Sequence, residues 1–321
     1  MGELMTKHRE HEHSVPLRYP RRKPGAAVVR DSRVFVRTKF PARDPLVVNA
    51  KNSTPIFTKY SINEIFATRG TGKSMLAMAL AGKHSSGGEF LNWNVVQPTS
   101  VLYVDGELPN SQIQDRMLLL HSPDTHFRLI TLDDHPSGLP NLAEEAGQKW
   151  LEGALVGIEV LILDSIASLA PFATNDEQRW IPFIVWLQKL RSRGLCIHLL
   201  HQAGKAGLQR GHSRGDDPLD VQIKLKTTNE ELDYLNFDLT YEKFRGERSG
   251  VQPIAVKFVD GRWECEPLKA DKYRLLTDYL KEHPNKEQQS FRKIARALPE
   301  LGSYVTVRTL MQKLEKQLKS R

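Results

Sequence analysis

Cysteine is scarce in this chain, with only Cys196 and Cys265 in 321 residues. Both lie in strand-like stretches, which excludes a disulfide framework and leaves reduced, packed thiols as the expectation. Long apolar runs are missing as well. None approaches the roughly 20 residues that a bilayer-spanning helix needs, and the opening MGELMTKHREHEHS has no apolar centre of the kind a secretion signal carries. We therefore expect a cytoplasmic protein with no membrane partner. A wholly disordered chain is excluded by composition, because 40% of the residues are hydrophobic and 26% charged. That is enough to bury one good core with a small second domain.

Acidic charge is in deficit, and the deficit is confined to the ends. The net charge is +8; residues 1–44 carry 11 Lys+Arg against 5 Asp+Glu, residues 269–321 carry 13 against 6, and the middle carries 22 against 27. A slightly acidic centre with basic ends suggests attachments for a polyanion such as nucleic acid. Residues 1–44 read as a flexible basic arm, rich at its start in Pro, Arg, Lys and His without periodicity. His8, His11 and His13 have no cysteine or carboxylate cluster to complete a metal site and are read as solvated.

From 45 to 268 short β-rich runs alternate with amphipathic segments. SINEIFA, SVLYVDG, FRLIT, EVLILDS, CIHLLHQ and VQIKLKT read as strands, and 74–83, 111–120, 141–155 and 177–193 as helices. Continuous apolar strands separated by helices predict an α/β fold with a mostly parallel central sheet covered on both faces. LDYLNFDLTYEKF and QPIAVKFVDGRWECE, joined by RGERSG, read as a hairpin-like extension. Residues 269–321 switch to helices (KYRLLTDYLKEH, SFRKIARAL and VTVRTLMQKLEKQLK), a helix-turn-helix or winged-helix-like module. Its last helix carries Arg308, Lys313, Lys316 and Lys319; DNA contact is weighed above protein docking for Arg308 and Lys313.

The chemistry begins at FATRGTGKS, residues 66–74, placed where a strand ends and a helix begins. In that context Thr68, Arg69, Gly70, Thr71, Gly72, Lys73 and Ser74 form a phosphate-binding loop: backbone N–H groups cradle polyphosphate, Lys73 reaches the outer phosphates, and Ser74 ligates Mg²⁺. Ala67 stands where the full pattern has glycine, a small change that we expect to be tolerated. Phosphoryl transfer also needs an acid for the metal and a base for water. Asp164, at the end of VLILDS, suits the metal. Asp105 and Glu107 in VLYVDGELP both suit the base, and Glu107 is the choice because it lies beyond the glycine. Gln202, at the end of LLHQ, suits a γ-phosphate sensor, with His201 as the competitor.

FATRGTGKS, VLYVDGE, VLILDS, LLHQAGK and QRGHSRGDD, in this order, resemble the RecA/DnaB-type ATPases, and most closely the plasmid RepA-type hexameric replicative helicases. The resemblance covers about 45 to 230. It implies a RecA-like P-loop core, ATP and Mg²⁺ as cofactors, a ring, and motion along single-stranded DNA. By motif it assigns Lys73 and Ser74 to the phosphate loop, Glu107 to catalysis, Asp164 to the metal and Gln202 to sensing. Family members often have paired histidines where this chain has His201 and Gln202. The resemblance also implies a cation supplied in trans by the neighbouring subunit, with Arg210 the first choice, Lys205 the second and Arg214 in the same loop. That loop, GKAGLQRGHSRGDDPL, occupies the place of a DNA-contacting central loop, with LAPFATNDEQ as its companion, and its cations cannot all be both finger and DNA contact. The expected function is a DNA-dependent ATPase of the helicase or translocase kind, with other replication proteins as further partners. An ATP-switched replication initiator, helicase loader or recombination factor is the alternative, and a P-loop small-molecule kinase the third reading.

Overall fold

The computed structural model describes residues 29–40, 43–122, 124–171, 177–203, 218–229, 234–268, 276, 279–280, 290–301 and 303–319. Residues 1–42 and 43–321 form two units. Within the first, where no packed element was expected, Ser32–Arg37 forms a short helix, α1. Its start is fixed by Asp31, whose carboxylate accepts from the Arg33 backbone N–H at 2.8 Å, and none of its residues is buried.

The second unit begins with β1 (Pro45–Asn49), β2 (Pro55–Thr58) and β3 (Ser61–Ala67), followed by α2 (Lys73–Ser86), β4 (Gly88–Phe90) and β5 (Trp93–Val95). Next come β6 (Val101–Asp105), α3 (Asn110–Leu119), β7 (Phe127–Thr131), α4 (Glu145–Ala154) and β8 (Val160–Asp164). Then follow α5 (Ile166–Leu169), α6 (Glu177–Ser192), β9 (Cys196–Gln202), β10 (Val221–Thr227), β11 (Leu235–Phe244), β12 (Ile254–Val259) and β13 (Arg262–Pro267).

Nine strands make the main sheet in the order β13-β12-β11-β10-β3-β9-β8-β6-β7. The six from β10 to β7 run parallel, and β11, β12 and β13 add on antiparallel. The six parallel strands are those read from the sequence, β6 and β8 most plainly, because a strand covered on both faces has no polar face and shows as an apolar run. β6 and β8 are buried along their whole lengths. One face is covered by α2, whose Leu76, Ala77, Met78, Ala79 and Leu80 are all buried. The other face is covered by α6, which buries Phe183, Trp186, Leu187 and Leu190, one stripe at helical spacing.

Three local features differ from the sequence reading. QPIAVKFVDGRWECE is two strands, because Asp260 and Gly261 both take positive φ (50° and 75°) and close a tight hairpin between β12 and β13. The helix expected from 141 starts at Glu145, since the Asn141 side chain accepts from Ala143 N–H at 2.9 Å and holds a turn there. A second, four-stranded antiparallel sheet, β2-β1-β5-β4, was not foreseen; its strands are three to five residues long.

In the C-terminal region, helices Phe291–Ala297 and Tyr304–Lys319 flank a short turn, Pro299–Leu301. Leu276, Ile294, Leu301, Val307 and Leu310 bury one another. The helix expected at KYRLLTDYLKEH lies mostly outside the described residues. Arg308 and Lys313 are exposed on the last helix. Among the described residues no helix is long and apolar enough to cross a membrane.

Candidate active site

The candidate residues gather at the carboxyl ends of four neighbouring strands, where an open parallel sheet presents its loops. Ala67 at the end of β3 pairs with Gln202 at the end of β9, and Asp105 at the end of β6 pairs with Asp164 at the end of β8. From Ala67 the chain turns through Thr68 to Gly72 into α2. Gly70 and Gly72 have φ of 79° and 106°, values costly for any residue with a side chain. The loop braces itself: Thr71 Oγ1 donates to the Thr68 carbonyl at 3.0 Å. Lys73 Nζ donates to the carbonyls of Ala67 at 3.2 Å and Thr68 at 3.0 Å.

The acids hold distinct places. Asp164 is buried, and burial pushes its carboxyl up to about 6, opposed by hydrogen bonds from Tyr103 and Ser74. Tyr103 Oη donates to Asp164 Oδ2 at 2.5 Å. The two carboxylates expected to compete as the base are separated by the structure. Asp105 Oδ1 accepts from the backbone N–H groups of Glu107 and Leu108, both at 2.8 Å, so it caps the turn that carries Glu107. Its other oxygen is buried without a partner, and burial raises its pKa. Glu107 is exposed and takes a short hydrogen bond from Ser165 Oγ. Gly106 between them is tightly packed: a Cβ there would lie 2.8 Å from both Leu169 Cδ2 and Ser168 Oγ.

At the end of β9, Gln202 Oε1 accepts from Arg69 Nε at 3.1 Å, joining the sensor candidate to the phosphate loop. His201 points away from this cluster. It is buried, with Nδ1 2.9 Å from Glu64 Oε1, and Gln222 Nε2 donates to Glu64 Oε2 at 2.7 Å. Its hydrogen bond goes to a buried carboxylate on the neighbouring strand, whereas Gln202 bonds to the loop. Lys205, Arg210 and Arg214 lie outside the described residues.

Burial lowers the pKa of Lys73, while Asp164 and Glu107 raise it. A buried carboxylate beside two further acids is under-compensated, and a divalent cation bound near Ser74 and Asp164 would relieve it. Among the described residues no three ligating side chains form a metal cluster. Mg²⁺ is commonly held by one or two protein oxygens, with substrate phosphates and waters completing its shell. Sequence reasoning missed Tyr103, Ser165 and Glu64. A tyrosine inside a fully apolar strand was the available signal, since its buried hydroxyl needs an acceptor.

Residues 50–207 match the family model described as an AAA domain. A KaiC-like protein from the hyperthermophilic archaeon Pyrococcus horikoshii OT3 superposes with a TM-score of 0.53 at 15% identity, over 70% of this chain and 99% of that one. The core shares the fold of that protein, a mostly parallel sheet covered by helices on both faces. No curated protein matches the chain by sequence. The strand-to-helix loop after β3 and the acids at the ends of β6 and β8 lie at one end of this sheet.

Proposed function

We propose that this chain hydrolyses Mg-ATP and uses the turnover to move along single-stranded DNA as a ring of like subunits, a hexamer by resemblance. The observation that carries the hydrolase reading is the convergence of Lys73, Ser74, Glu107, Asp164 and Gln202 on one end of the sheet. Loop amides and Lys73 bind the phosphates, Lys73 exchanging the Ala67 and Thr68 carbonyls for phosphate oxygens. Ser74 and Asp164 would hold Mg²⁺, which when bound neutralises charge on the outer phosphate oxygens. Glu107 orients water and takes its proton as the water oxygen bonds to the γ-phosphorus. The bond to the bridging oxygen breaks, and ADP and phosphate leave. Gln202, held by Arg69 at 3.1 Å, is placed to register whether the γ-phosphate is present.

The basic ends and the resemblance support the DNA reading. Arg210, Lys205 or Arg214 would supply the trans-acting cation, and the remaining cations of that loop would bind phosphates. Turnover measured with no DNA, single-stranded DNA and duplex DNA tests it: stimulation by single strands is expected, and indifference to both overturns the translocase. The exposed Arg308 and Lys313 favour a second reading, an ATP-switched DNA-binding initiator or loader. Slow turnover with sequence-specific duplex binding and no strand displacement would select it.

A further inference from the structure

We infer that Tyr103 is a positioning residue for the metal: its hydroxyl fixes the Asp164 carboxylate in the orientation that receives Mg²⁺. The inference rests on the ATP site proposed above. Tyr103 lies fully buried in β6, between Leu102 and Val104. Phenylalanine would fill the same apolar space without bringing a hydroxyl out of water, which costs free energy unless a partner is found. That partner is Asp164. β6 and β8 run parallel with Tyr103 opposite Ile162, and the ring spans the gap to place Oη 2.5 Å from Asp164 Oδ2.

The other side-chain hydroxyl on this carboxylate belongs to Ser74. Ser74 is also the residue whose oxygen would bind the metal, and an oxygen engaged by Mg²⁺ no longer serves Asp164 in the same way. With Ser74 on the metal, Tyr103 would be the tie that remains, and it comes from a fully buried strand inside the central sheet. Partners of this kind, one step behind a metal ligand, typically change metal affinity about 10- to 100-fold when removed.

The test is Tyr103→Phe, read by binding of a fluorescent ADP analogue in EDTA and across a Mg²⁺ titration, with Mn²⁺ binding followed by electron paramagnetic resonance. Metal-free nucleotide binding should stay at the wild-type level. The Mg²⁺ concentration for half-effect should rise about 10- to 100-fold, and turnover at saturating Mg²⁺ should largely recover. Val104→Ala, which loosens the same strand and leaves the hydroxyl in place, controls for destabilisation. A second arm compares Asp164→Asn with Asp164→Asn/Tyr103→Phe, where the tyrosine should have no further effect on metal. An unchanged Mg²⁺ requirement in folded Tyr103→Phe overturns the inference, and so does an equal rise in Val104→Ala. A wild-type protein that binds no Mg-nucleotide overturns the ATP site itself, a separate and recognisable result.

Discussion

Replacing His84 with leucine should make the protein less sensitive to acid, by an amount fixed by burial. His84 sits on α2 with no exposed surface, and neither ring nitrogen has a hydrogen-bond partner. His198, on β9, is equally buried, its ring centroid 5.6 Å away. Burial lowers the pKa of His84 to about 3 from the usual 6.5, and drives that of His198 well below it. Below 6.5 each ring gains a proton in the unfolded chain while the folded one stays neutral. Stability present above that value is therefore lost as the pH falls toward the folded value. At about pH 5 the loss from His84 is about 2 kcal/mol relative to pH 7.5, and His198 adds to it in the same direction. Because pH 5 is well above 3, the His84 figure depends on the unfolded value alone. His84→Leu should remove its contribution, narrowing the pH 7.5-to-5 stability difference by about 2 kcal/mol. At neutral pH it should also stabilise, by about 1–3 kcal/mol, since it removes buried polar atoms without partners. Urea unfolding followed by tryptophan fluorescence at both pH values measures this. Equal acid sensitivity in wild type and variant would refute the argument.

Other substitutions separate the roles around the loop. Glu107→Gln should lower turnover by about 10²- to 10⁴-fold with nucleotide binding retained, whereas Asp105→Asn should stay within about tenfold, because an amide oxygen can still accept from the turn; steady-state kinetics and nucleotide titration compare them. Gly106→Ala should cost about 1–3 kcal/mol in thermal unfolding and slow hydrolysis, as a Cβ 2.8 Å from Leu169 and Ser168 must displace the turn that carries Glu107. If the C-terminal helices hold DNA, Arg308→Ala with Lys313→Ala should weaken DNA binding and reduce the slope of log affinity against log salt by about 2, read by fluorescence anisotropy across a salt series.

Most of the core was legible because its rules are local. SINEIFA, VLYVD, FRLIT, VLILD, CIHLLHQ and VQIKLKT match β3, β6, β7, β8, β9 and β10, since apolar runs bounded by turns leave a parallel strand little else to be. The glycine-rich turn between β3 and α2 was legible for the same reason, since Gly70, Gly72 and Lys73 lie within four residues. What escaped depended on partners distant in sequence. Nothing near Asp105 announces that its oxygen caps the following turn while Glu107 stays exposed beyond it. Tyr103 meets Asp164 across two strands, 61 positions apart. His201 finds Glu64 across 137 positions. The small sheet was missed because β4 and β5 are three residues each, too short for alternation to show, and the β12–β13 turn because Asp260–Gly261 sits inside an apparently continuous alternating run.

Mg²⁺-dependent phosphate release by the wild type and by Lys73→Ala tests whether the loop from Thr68 to Ser74, with the acids beside it, hydrolyses ATP. Turnover in the wild type that vanishes in Lys73→Ala, with the melting temperature of the nucleotide-free protein retained, is the predicted result. Equal turnover in the two proteins would mean that this loop is not the hydrolytic site.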